Sequence, residues 1–229
     1  MKHHASTLIL GMTLLVGCAS VPFVALPTPV LHNADPAAMR SAWSANLPTR
    51  FTTEDTVVIE FPGKSLALLG FLRIDRTAGT FEVQGMNHLG WRWFLISGNP
   101  RTTEVLFAAP PLAELPKMLQ SIAQDIRCMY FDLVPDPAAQ VRVEARSVRY
   151  TEDRPDAEIE FVMGGMNGVL LEKRLRHWTW PVWRVRFYDY TPAVEGVFPR
   201  GIVLDNARYH YRVVVKNRSL RIEKDADTR

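Results

Sequence analysis

The chain is short of several things, and each shortage narrows its reading. Cysteine is scarce: Cys18 and Cys128 are the only two in 229 residues. Net charge is small, 27 Lys and Arg against 24 Asp and Glu, so nucleic-acid binding by bulk charge is not indicated. There is no Gly-x-Ser-x-Gly elbow and no His-Glu-x-x-His helix, so no catalytic residue is named and no enzyme is expected. His32, His88, His177 and His210 stand singly, without ligand spacing, so neither a metal nor another cofactor is expected. Met163-Gly164-Gly165-Met166-Asn167-Gly168 is glycine-rich but lacks the Gly-Lys-Ser/Thr ending of a phosphate loop and leads into a strand pattern; it reads as a hairpin turn. Beyond the N-terminus no apolar run approaches the roughly 18 residues of a membrane helix.

What is present starts at the N-terminus. Lys2 is followed by Leu8 to Gly17, a run in which only Thr13 is polar, too short to span a bilayer and long enough for a signal-peptide core. Its ending, Leu15-Val16-Gly17-Cys18, resembles the bacterial lipobox, which implies a signal peptide over residues 1–17 and lipid on Cys18. Cys128 then has no intramolecular partner and reads as a small packing residue. Ala19 and Ser20 follow the cysteine with no aspartate, which by the enterobacterial sorting rule implies the outer membrane, facing the periplasm. Residues 18–50 read as the lipidated cysteine, a tether with Pro22, Pro27 and Pro29, and a short helix. Asp35-Pro36 is the N-cap and first position of that helix, which runs to Ala45 with Met39 and Trp43 on one face.

Residues 51–229 read as one mainly β (α+β) domain. From Thr56 the period is two: Val57, Ile59 and Phe61 alternate with Thr56, Val58 and Glu60. Turn signals at Pro62-Gly63, Thr77-Ala78-Gly79 and Asn87-His88-Leu89-Gly90 cut the chain into a meander of about eleven strands, with Val141 to Tyr150 taken as one of them. One helix interrupts them, from Leu112 to Tyr130, with Leu115, Met118, Leu119, Ile122, Ile126 and Met129 on one stripe. Asp125 lies at the edge of that stripe, either as a lone buried acid or, the favoured reading, paired with Arg127 or a strand arginine. In the later strands one face is greasy (Val169, Trp183, Val185, Phe187, Tyr211, Val213) and the other carries Arg174, Arg176, Arg184, Arg186 and Arg212. One helix is a thin cover for so many strands. Either side chains fill the interior or a hollow remains for an apolar guest. The cluster His177-Trp178-Thr179-Trp180-Pro181-Val182-Trp183 reads equally as a cavity mouth and as a packed hairpin corner.

Three segments resemble the LolB family of outer-membrane lipoprotein receptors. They are Thr80 to Gly90, ending in Asn87-His88-Leu89-Gly90; the helix with Asp132-Leu133-Val134-Pro135 after it; and Phe198-Pro199-Arg200-Gly201-Ile202-Val203-Leu204 with the strand beyond. The resemblance implies an open antiparallel half-barrel of the LolA/LolB type, lidded by helices, whose cavity receives acyl chains. It implies a lipid-anchored outer-membrane protein that takes part in lipoprotein or lipid transfer, with an acyl chain and a periplasmic carrier protein as partners. No nucleic-acid partner is expected, and the chain is read as a monomer. Leu89 matches the family's membrane-inserting leucine, although His88 stands where the family has proline; the alternative is a hairpin residue folded back on the sheet. The cavity lining expected from the greasy faces is Leu68, Leu72, Phe81, Trp93, Leu119, Ile122, Ile126, Trp183, Phe187 and Tyr211. The competing function is a structural envelope lipoprotein with a filled cavity and no lipid.

Overall fold

The computed structural model describes residues 21–165, 167–177, 180–193 and 196–223; the signal segment, Cys18, Trp178 and Thr179 lie outside them. A first helix, α1, covers Pro36–Ala45. Its start follows from the Asp35 carboxylate, which accepts from the amides of Ala37 and Ala38 ahead of the proline. A first meander follows: β1 (Arg50–Phe61), β2 (Lys64–Asp75), β3 (Thr80–Met86), β4 (Arg92–Gly98) and β5 (Thr103–Ala108). The chain then runs through α2 (Pro110–Ala113) and α3 (Pro116–Tyr130). A second meander comprises β6 (Gln140–Val143), β7 (Ser147–Arg154), β8 (Ala157–Gly164), β9 (Val169–His177), β10 (Trp180–Ala193), β11 (Gly196–Asn206) and β12 (Tyr211–Ile222).

All twelve strands form one antiparallel sheet in the order β5-β4-β3-β2-β1-β12-β11-β10-β9-β8-β7-β6. The two meanders join where β1 pairs with β12, Val57 opposite Val215 and Ile59 opposite Val213. β5 and β6 remain open edges, and the helices carry the chain from one edge to the other across the concave face. The result is an open, mostly β half-barrel. Because neighbours alternate in direction, its hairpin turns fall on two rims. The upper rim holds the turns after β1, β3, β7, β9 and β11, and the lower rim those after β2, β4, β6, β8 and β10.

Three expectations are corrected. The strand expected over Val141 to Tyr150 folds back at Glu144-Ala145-Arg146 into β6 and β7, giving twelve strands. That turn contains neither glycine nor proline; the Glu144 carboxylate closes it, accepting from Ser147 Oγ at 3.0 Å and Arg149 Nε at 3.1 Å. The helix expected from Leu112 is broken at Leu115, whose φ of −119° and ψ of 58° lie outside the helical region. Proline at 116 disfavours helical geometry in the residue before it and suits the first position of a new helix. Leu115 therefore leaves the stripe and is exposed. The extended tether expected over Ala19 to Asn33 lies along the domain from residue 21 onward. Phe23 stacks on Tyr188 at 5.5 Å between centroids, Leu26 and Leu31 pack on the core, and the Leu31 amide donates to Ala145 O at 2.8 Å. Burying three apolar side chains outweighs the freedom of a proline-rich strand.

α1 closes the lower end of the half-barrel. Trp43 is 3 % exposed, donates its indole N–H to Leu133 O at 2.8 Å, and meets Tyr190 edge-on at 5.9 Å. Phe51, Tyr130 and Phe198 fill the space beside it. The glycine-rich run is the β8–β9 hairpin turn, with Gly165 at φ +75° and Gly168 at φ +59°; its Met166 lies outside the described residues.

Candidate functional site

The inner stripe of α3 rests on the concave face of the sheet. Leu119, Ala123, Ile126 and Met129 are all buried there. Two cations, buried Lys173 and half-buried Arg76, hold the C-terminal end of the helix, where carbonyls lack partners and the dipole is negative. Arg76, which follows β2, donates from Nε to Tyr130 O at 2.8 Å and from Nη1 to Pro48 O at 2.7 Å. Lys173, from β9, donates to Phe131 O at 2.9 Å and lies over the Trp183 ring at 5.5 Å. Burial pushes Arg76 down to about 10 and Lys173 down to about 8. Arg127 adds a third tie, donating to Asn99 O and Thr102 O in the β4–β5 turn. The N-terminal end begins at exposed Leu115, after a helix of only four residues. The polar ties of α3 gather at its C-terminal end, while the N-terminal end is held by apolar contacts of buried Leu112 and Leu119.

Under the middle of α3 lies a cavity of about 60 Å³, walled by Val57, Ile59, Leu68, Leu72, Val83, Phe94, Ile122, Ile126, Met129, Val213 and Val215. A Cβ at Gly85 would stand 2.4 Å from the Phe94 ring, so glycine there lets the ring lie flat against the cavity wall. About 60 Å³ is far below the roughly 300 Å³ at which small-molecule pockets begin. The interior is therefore mostly filled by its own side chains, with a small apolar remainder. A larger hollow of about 580 Å³ is walled by Arg50, Arg73, Asp75, Glu82, Glu104 and Glu223, a lining unsuited to hydrocarbon.

Two carboxyls interrupt the apolar lining. Asp55 is 4 % exposed and accepts from Thr53 Oγ1 at 2.6 Å and Asn217 Nδ2 at 3.0 Å. Asp125, on α3, is 6 % exposed and accepts from Tyr211 Oη at 2.5 Å and Asn206 Nδ2 at 3.4 Å. Desolvation pushes Asp55 up to about 6 and Asp125 up to about 7, against the lowering effect of those hydrogen bonds. The pairing of Asp125 with Arg127 or a strand arginine is thus overturned: Asp125 is buried and meets Tyr211 and Asn206, not a cation. Arg127 is drawn instead to the carbonyls of Asn99 and Thr102 in the β4–β5 turn.

Of the lining residues expected from sequence, Leu68, Leu72, Ile122 and Ile126 meet in the cavity. The others are elsewhere. Leu119 is buried beside it in the core, and Phe81 lies under Arg127 and against Phe131. Trp93 is partly buried, Trp183 packs against Lys173, and Phe187 belongs to the closed lower end. Tyr211 reaches the edge of the site only as the donor to Asp125. Val57 and Ile59, which the period-two pattern of β1 had placed on one face, were the available signal for the missed wall. Asp55 continues that alternation, so an acid in a greasy register was the sign of a buried carboxyl.

Leu89 stands at the tip of the β3–β4 turn, 68 % exposed, with Trp91 beside it at 73 %. Asn87 shapes the tip: its Oδ1 accepts from the amides of Leu89 at 3.0 Å and Trp91 at 2.9 Å. Leu89 is not folded back on the sheet. The arginines of the convex face are largely matched with acids. Arg149 and Arg174 both meet Glu160, and Arg186 and Arg212 each meet Asp205 at 2.7 Å. Cys128 is buried, and desolvation pushes its thiol up to about 11. Among the described residues no three His, Cys, Asp or Glu side chains gather as a metal site would require. No helix among them is long and apolar enough to cross a membrane.

No protein-family model matches the sequence, and no curated protein matches it. Solved structures share its shape. A LolA superfamily protein from Nitrosomonas europaea superposes with a TM-score of 0.54 at 8 % identity, over 85 % of this chain and 96 % of that one. A protein domain from Vibrio parahaemolyticus described as outer membrane lipoprotein-sorting gives 0.47 at 8 % identity, over 84 % and 92 %. A DUF1329 family protein from Desulfovibrio piger gives 0.46 at 10 % identity, over 83 % and 94 %. At these identities the likeness is one of fold. The chain has a LolA-like fold: an open antiparallel sheet wrapped around a helix that crosses its hollow face.

Proposed function

We propose that this protein is an outer-membrane lipoprotein, anchored through Cys18 and facing the periplasm, that takes an acyl chain beneath α3 and passes it on without chemistry. The observation that carries this reading is the apolar cavity under a helix whose polar ties gather at one end. A cavity of about 60 Å³ admits no long tail as it stands, so loading requires the N-terminal half of α3 to rise about its bolted end. Each methylene that leaves water contributes about 0.8 kcal/mol, so a sixteen-carbon chain supplies on the order of 10 kcal/mol gross toward that opening. Release needs a competing apolar phase, which a bilayer provides. The exposed Leu89 turn is the element that would meet it. A periplasmic carrier would be the donor, and the protein would act as a monomer.

The small cavity volume favours a second reading, a structural envelope lipoprotein whose interior is simply a core. Native mass spectrometry of the full chain, together with titration by a fluorescent fatty acid, separates the two. The carrier reading expects co-purifying acyl lipid and saturable probe binding, lost in Ile122→Trp, where the larger ring occupies the cavity. A clean apo mass with no probe binding by the unsubstituted protein selects the scaffold.

A further inference from the structure

Among the described residues the exposed aromatic side chains gather at one end of the molecule, while exposed aliphatics also lie elsewhere, Val105 and Leu106 on the edge strand β5 among them. Leu89 and Trp91 lie in the β3–β4 turn, Trp180 opens β10, Tyr209 lies in the β11–β12 turn, and Phe107 is near the upper end of β5. All belong to the upper rim. No large apolar side chain is exposed in the described lower turns, residues 76–79, 99–102, 144–146, 165 and 167–168. Val141 and Val143 are on the edge strand β6, and Val24 and Val30 precede α1.

Charge on the upper rim follows the same division. The stretches 61–64, 87–91, 177–180 and 207–210 contain no acidic residue. The cations beside them, Lys64, Arg92, Arg176 and Arg208, enter no ion pair among the described residues. Three of them lie over aromatic rings of the same rim: Lys64 over Phe61, Arg92 over Phe107 and Arg208 over Tyr209. This contrasts with the convex wall below, where Glu160 and Asp205 absorb the arginines. The acids at this end are Glu60, which meets Arg212, Glu114 between α2 and α3, and Asp153 and Asp156 at the β7–β8 turn. Tryptophan and tyrosine with unmatched cations are the composition suited to the headgroup layer of an anionic bilayer. The cavity wall residues Ile59, Leu68, Gly85 and Phe94 lie within a few residues of these same turns.

We propose that the upper rim from β5 to β9 docks as one face on an anionic bilayer, and that the Trp180 and Tyr209 turns, with Arg176 and Arg208, form a second contact beside the Leu89 turn. Contact at two places fixes orientation, which a lipid anchor or one protruding leucine does not. It aims the cavity end of the half-barrel at the lipid. The proposal stands apart from the cargo: a chain that binds no acyl probe can still dock in this way.

The test is tryptophan quenching by brominated lipid, with the full chain reconstituted in phosphatidylethanolamine–phosphatidylglycerol vesicles. Trp180→Phe and Trp91→Phe are each expected to remove a share of the quenched emission, whereas Trp43→Phe at the closed lower end removes none. Arg176→Gln and Arg208→Gln are each expected to weaken the docked population about fivefold on anionic vesicles and to have no effect on zwitterionic ones. Unchanged quenching in Trp180→Phe, with the near-ultraviolet dichroism of the fold retained, overturns the second contact. Absence of quenching at both tryptophans overturns the docking face and leaves the rim to a protein partner.

Discussion

Asp125 gives the sharpest prediction. Its carboxyl lies between α3 and β12, and burial raises it from 3.8 to about 7. That rise corresponds to about 4 kcal/mol of bias against the ionised form in the folded protein. Between these values the folded state holds a proton that the unfolded state has lost. Stability is therefore highest at acid pH and falls as pH rises, until the folded carboxyl has itself ionised. About 2.5 kcal/mol of the loss falls between roughly pH 5 and pH 8. Asp55, raised to about 6 for the same reason, adds a loss of the same sign. Asp125→Asn removes the first contribution and leaves the second. Its amide keeps the contacts, with the oxygen accepting from Asn206 and the nitrogen donating to the Tyr211 hydroxyl. Urea unfolding at both pH values should show the variant losing about 2.5 kcal/mol less than the unsubstituted chain. Equal losses in the two proteins would refute the reasoning, for then Asp125 ionises freely and α3 is not sealed over it.

Trp43→Phe removes the indole bond to Leu133 O and leaves that carbonyl buried, so unfolding should become easier by about 1–3 kcal/mol, read as a lower urea midpoint at unchanged slope. The Cys128 thiol, buried and raised to about 11, should resist a maleimide at neutral pH until denaturant is added; rapid labelling of the native chain would place it at an open surface.

The legible parts of this fold were local. The Asp35-Pro36 start, the turn at Pro62-Gly63 and the alternation of Val57 and Ile59 are each a property of a few adjacent residues. The break at Leu115 was equally local and rested on one proline that a strong apolar stripe concealed. The β6–β7 turn carried no such mark, because a glutamate side chain closes it in place of glycine. The site was half legible for a different reason. The inward faces of α3 and β2 show in the periodicity, so Leu68, Leu72, Ile122 and Ile126 were found. Which strands the helix lies against is decided by the β1–β12 junction and the crossing between open edges, and these depend on residues far apart in sequence. Trp183 and Phe187 have the right chemistry on a strand that the helix leaves to other neighbours, and Tyr211, on β12 beside the helix, gives its hydroxyl to Asp125.

The N-terminal stretch pressed against the convex wall has a geometric consequence. Five peptide steps separate Cys18 from Phe23, at most about 17 Å of chain, while Tyr188, where Phe23 is seated, stands eight residues along β10 from Trp180, about 26 Å. With lipid on Cys18, as proposed, so short a leash would tilt the docked molecule toward its β10–β11 flank and bring the Trp180 and Tyr209 turns to the lipid ahead of Leu89.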